Sequence, residues 1–173
     1  MKQLIVLLAG ALITALAMQA QTARPSCRVG VFDSRAVALA WGRSDEGMEV
    51  VKQIRAEYDK AKAANDEKRM KEMEQEGQWH QVRMHQLVFS TGPVAFILAK
   101  VKDKLPEIAR QERVTAIVSK WELPYTEPGT ELVDVTLPLV KLFHPSEQVL
   151  KWVEEMKNQP PVPFDTLPLD PNL

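Results

Sequence analysis

The side chains of this 173-residue chain most able to do chemistry are three histidines, His80, His85 and His144, one cysteine, Cys27, and two aspartates, Asp33 and Asp134, that each close a β-branched run. His80 and His85 lie five apart, a spacing that does not make them neighbours on one helical face, so no metal site is expected. A lone cysteine forms no intramolecular disulfide, and stability must come from packing or association. Cys27 is also a poor lipid-anchor cysteine, because Arg24, Pro25 and Ser26 stand before it instead of small residues. Asp33 and Asp134 would make paired carboxylates for acid–base work if a sheet brought them together. Each also stands where a helix begins, and we read both as caps. The seven glycines are scattered, and neither a phosphate-cradling loop nor a serine nucleophile elbow is present. The chain is therefore not expected to be an enzyme or to carry a cofactor.

Other side chains are suited to binding. Val51, Ile54, Tyr58 and Ala61 step by three, four and three residues, and Met70, Met73, Gly77, His80, Met84 and Leu87 follow the same rule. Such steps make the seam of a coiled coil. Methionine thioethers in that seam either fill a hairpin core or offer an adaptable surface to unrelated partners. Trp79 lies beside the seam and is the single side chain best placed for a client contact, or for packing on a neighbouring subunit. The candidate client-binding or seam residues are thus Val51, Ile54, Tyr58, Met70, Met73, Trp79 and Met84. Gly77 permits close helix approach at the seam, at a cost of about 1 kcal/mol in helix propensity.

These residues need elements to position them. Lys2 followed by the apolar run Leu4 to Met18 and small residues through Ala23 reads as a secretory leader, too short to span a bilayer comfortably. Residues 1–23 are expected to be removed, and the mature protein to work in the periplasm or otherwise outside the cytoplasm, with no stable transmembrane anchor. The formal net charge is −1, and loss of Lys2 makes it one unit more negative. Neither nucleic acid nor an anionic membrane surface is suggested as partner. Residues 24–158 then form one domain. Cys27 to Asp33 reads as a strand, Arg35 to Trp41 as a short helix, and Ser44-Asp45 as a fresh cap. From Glu46 to Val88 the chain has no proline and is rich in helix formers. The two seams are out of phase across Ala64-Asn65-Asp66, which predicts a helical hairpin over about 45–89 with arms of roughly 30 Å; the alternative is one longer helix with a skip. A third helix from Pro93 should kink at Pro106. Val114 to Ser119 reads as a strand and Trp121 to Thr126 as another, ahead of a turn at Glu127-Pro128-Gly129. Leu137 to Phe143 and Pro145 to about Lys157 complete the helices. The proline-rich tail, 159–173, is expected to be extended and partly disordered.

Strand, helical hairpin, strand pair and helix behind a leader is an order that resembles the Skp/OmpH family of periplasmic chaperones. The resemblance rests on Val29 to Asp33 with Ser34-Arg35-Ala36, on Ile108 to Ser119, on Leu123-Pro124-Tyr125 and on Val133 to Thr136, and covers about Val29 to Phe143. It implies an α+β fold with a small antiparallel-type β-sheet core, a projecting helical hairpin as a short coiled-coil arm, and C-terminal helices. It also implies a homo-oligomer, expected to be a trimer, that holds unfolded or envelope protein clients without ATP. A non-catalytic structural or adaptor protein of the cell envelope that reuses the fold is the alternative.

Overall fold

The computed structural model describes residues 27–167, so the expected leader lies outside the described residues, as does the end of the tail. Strand β1 (Arg28–Phe32) leads into helix α1 (Ser34–Gly42), started by Asp33, whose carboxylate accepts from Arg35 N at 3.0 Å. Helix α2 (Asp45–Ala63) is capped by Ser44, and α3 (Glu67–Phe89) by Asp66. Between them the chain turns through Ala64-Asn65-Asp66, as the phase reset predicts. Asn65 takes a left-handed φ of 53°, and Asp66 N donates to Ala61 O while Asn65 N donates to Lys62 O, a Schellman ending that satisfies the last carbonyls of α2. The two helices pack side by side as a hairpin, with Ala61 and Met73 buried between polar outer faces.

Pro106 does not kink a continuous third helix. Instead α4 (Ala95–Leu98) passes into a 3-10 turn (Ala99–Lys104), the backbone leaves helical geometry at Val101 (φ −117°, ψ 15°), and α5 (Leu105–Gln111) starts with Pro106 in its first turn. A proline lacks the N–H that a helix interior needs and crowds the preceding turn, whereas a first turn has no use for that N–H; the break therefore falls ahead of it.

The sheet corrects two expectations. Strand β2 spans Ala116–Ser119, but Trp121 to Thr126 forms no strand, and the third strand, β3, is Glu131–Asp134. Pro124 lies inside the missing strand and cannot donate to a ladder. The expected turn is present: Thr130 N donates to Glu127 O across Pro128 and Gly129, with Gly129 at φ 91°. The sheet is also parallel, not antiparallel. β1 is the middle strand, with Val31 opposite Val118 on one side and Asp134 on the other. A tight hairpin joins antiparallel strands, whereas parallel ones require a crossover. Here the whole helical section returns the chain from the end of β1 to the start of β2, and residues 120–130 bring it back to the start of β3.

Helices α6 (Thr136–Lys141) and α7 (Glu147–Met156) follow, the second capped by Ser146. α1 is buried among the other helices, and its Val37 and Trp41 join Phe32, Leu87, Ile97, Val135, Leu139, Val140, Val149 and Val153 in one core. Gly30 on the central strand fits between neighbours: a Cβ there would stand 3.1 Å from Val114 Cγ2 and 3.2 Å from Val135 Cγ1. No described helix is long and apolar enough to cross a membrane. Of the tail, residues 159–167 run back along the base of the hairpin, where Val162 N donates to Phe89 O at 2.8 Å, and end in a short 3-10 turn, Phe164–Thr166.

Candidate functional site

Two groups of side chains stand out, one polar and buried, one apolar and open, and Arg35 belongs to both. The polar group sits at the carboxyl ends of the strands. Asp33 follows β1, Lys120 and Trp121 follow β2, and Thr136 follows β3. Arg35 Nη2 and Nε bind the Asp33 carboxylate at 2.7 and 3.0 Å, Lys120 Nζ lies 2.9 Å from it, and Trp121 Nε1 donates to it at 3.2 Å. Burial would raise the Asp33 pKa, but the bonds from Arg35, Lys120 and Trp121 outweigh it and lower the carboxyl to about 2. The Asp33 backbone N–H donates to Thr136 Oγ1 at 3.0 Å. Arg35 reaches further: Nη1 donates to Gln159 O at 3.0 Å and Nη2 to Met156 O at 3.2 Å, so a cation closes the C-terminal end of α7. Every nitrogen of this guanidinium that can donate is engaged, which makes the cluster a lock between sheet, α1 and tail.

The apolar group lines a groove of about 700 Å³ between α1, the base of the hairpin, α7 and the tail. Its walls carry Met48 and Val51 from α2, Met84, Val88 and Phe89 from α3, Trp152 and Met156 from α7, and Pro160 and Val162 from the tail. Met48, Val51, Phe89, Trp152 and Val162 remain well exposed, so the groove opens to water. Two ring contacts shape its rim. The Arg43 guanidinium carbon lies 5.6 Å from the Trp152 ring centroid, and the His85 ring meets Phe89 edge-on at 5.5 Å. Gly42 brings α1 against α3 here, since a Cβ would stand 2.7 Å from Met84 Cε.

Of the residues singled out by spacing, the structure brings Val51, Gly77, His80 and Met84 to this groove and scatters the others. Ile54 faces Gly77, and Tyr58 lies further along α2 under Arg55, whose guanidinium carbon is 5.7 Å from the ring. Met73 is buried in the hairpin seam, Met70 is half-buried towards the tip, and Trp79 is exposed and does not line the groove. His80 and His85 both line the groove despite their spacing, because it wraps round α3 between α2 on one side and α1 and α7 on the other. Asp33 is the cap it was read to be, but Asp134 is not: Val135 stands at the start of α6 without a side-chain cap bond, and the Asp134 carboxylate accepts from Thr136 N at 2.9 Å from one residue further out. Spacing missed Met48, Phe89, Trp152 and Met156. The i,i+4 pair Trp152 and Met156 on an amphipathic helix was the available signal, but nothing local says which face it meets. Among the described residues no group of three or more His, Cys, Asp or Glu is placed to hold a metal ion. No family model, no curated protein and no solved structure matches the chain.

Proposed function

We propose that the chain is an exported, ATP-independent holdase of the Skp/OmpH type, that it holds unfolded or outer-membrane client proteins, and that it does so in the groove at the base of the hairpin. One observation supports this reading above the others: Met48, Val51, Met84, Phe89 and Trp152 form a contiguous apolar wall that the fold leaves open beside a hairpin that is otherwise charged. Large exposed apolar patches with polar rims are characteristic of interaction sites. Three thioethers lining one groove, Met48, Met84 and Met156, suit clients of varied shape, because unbranched methionines repack at little cost. Holding by burial alone needs no chemical step, and hence no nucleotide. The adaptor reading has its own support in the arms, 19 and 23 residues long, or roughly 30 Å. Arms of that length suit the docking of one partner segment better than the enclosure of a whole client.

The test is light scattering from an unfolded outer-membrane β-barrel protein diluted out of urea with a several-fold molar excess of the mature chain. Aggregation is expected to be delayed without ATP, and Met84→Glu, which puts a charge in the wall, is expected to remove the delay. A full-length protein that leaves aggregation unchanged sinks the holdase reading, and the adaptor reading takes its place. A Met84→Glu protein that still folds and protects moves the client off the groove.

A further inference from the structure

His80 is a half-buried titratable side chain in a wall that is otherwise mostly apolar. It projects from the middle of α3 into the groove between Gly77 and Met84. We propose that His80 makes occupancy of the groove pH-dependent, an apolar client segment being held while the imidazole is neutral and released as it takes a proton. The inference rests on the client-holding reading above and adds its regulation. The charged and titratable groups around the groove are few. α1 brings Arg35, whose charge is answered by Asp33, and Arg43, stacked on Trp152. α7 brings Glu155, and α3 itself brings Glu76, Arg83 and the exposed His85, while α2 lines the groove only with Met48 and Val51 and the tail with nothing that titrates. Burial and the Arg83 charge lower the His80 pKa from 6.5, against the opposing pull of Glu76. A proton therefore enters this wall at a cost even when the groove is empty.

An apolar occupant raises that cost. It removes water from the imidazole and supplies no acceptor, which disfavours the charged form further. The sign follows by linkage: binding is at full strength above the pKa of the empty state, weakens as pH falls through it, and levels off below the pKa of the occupied state. Each unit by which occupancy depresses the pKa weakens acid-side binding about tenfold.

The experiment uses Nile red, an uncharged apolar dye, titrated into the mature protein from pH 8 to pH 5. Binding at pH 8 that weakens several-fold by pH 5, with a midpoint below the ordinary imidazole value, is expected, and His80→Gln is expected to flatten the profile whatever its affinity at pH 8. NMR titration of the His80 ring supplies a second readout on the unaltered chain: its pKa should fall further when the dye is bound. A flat wild-type profile, an equal slope in His80→Gln, or a ring pKa unmoved by the dye overturns the gate and leaves the holdase reading standing. No dye binding at pH 8, or equal binding by Met84→Glu, overturns the groove itself and the gate with it.

Discussion

Asp33 follows the central strand and receives donors from Arg35, Lys120 and Trp121, and its carboxyl is held at about 2 against an ordinary 3.8. Its folded pKa is depressed, so the stability it contributes is fully present above about pH 4 and is lost as pH falls towards 2. The expected loss is about 2 kcal/mol by linkage. Urea unfolding at pH 5, 4, 3 and 2 measures it, and a stability that stays level through this window contradicts the bonding described. Asp33→Asn should be far more harmful, by about 3–5 kcal/mol, because it leaves the Arg35 guanidinium buried without its counter-charge. A loss under about 1 kcal/mol would show that water replaces the carboxylate.

Two glycines on the hairpin arms behave oppositely. Gly77 was expected at the seam because a small residue lets helices approach, yet a Cβ there would meet only Ile54 Cγ2, at an ordinary 3.8 Å. Gly77→Ala should therefore stabilise α3 by about 1 kcal/mol through helix propensity alone. Gly47, in the first turn of α2, is pressed against the end of α1, and its Cβ would lie 2.2 Å from Trp41 O. Gly47→Ala should destabilise by about 1–3 kcal/mol, since backbone must move to admit the methyl. Thermal melts of the two variants check both signs at once; equal shifts in the same direction would contradict the packing at one of the two positions. The proline tail is also settled at this scale. Its composition speaks for an extended run, but only the bond from Val162 to Phe89 and the reach of Arg35 to Gln159 lay that run against α3 and α7.

The three-stranded sheet leaves β2 and β3 each with one neighbour, and Leu132 on β3 is 49 % exposed. Open strand edges are templates for further pairing, and so small a sheet hides little of its own edge. The mature protein is therefore expected to associate, with a trimer as the proposed state. Multi-angle light scattering across the micromolar range checks this, and Leu132→Lys should shift the mass downwards. A monomer at every concentration would remove the oligomer from the account and leave the groove to act alone.

Much of the chain's punctuation is legible residue by residue. Asp33, Ser44, Asp66 and Ser146 cap the helices they precede, Asn65 turns the hairpin tip, and Pro128-Gly129 makes the turn before β3. Each rests on contacts within five residues along the chain, so the residue types suffice. Strand direction does not have that property. Whether β1 meets its partners parallel or antiparallel depends on where 83 intervening residues return the chain, and a β-branched run reads the same either way. The groove is of the same kind. Met48, Met84 and Trp152 each lie on an amphipathic helix, and their own periodicity places them on a face. That these faces converge, with His80 among them and Arg35 tying the tail across one side, follows only from the packing of α1 against the hairpin, α6 and α7.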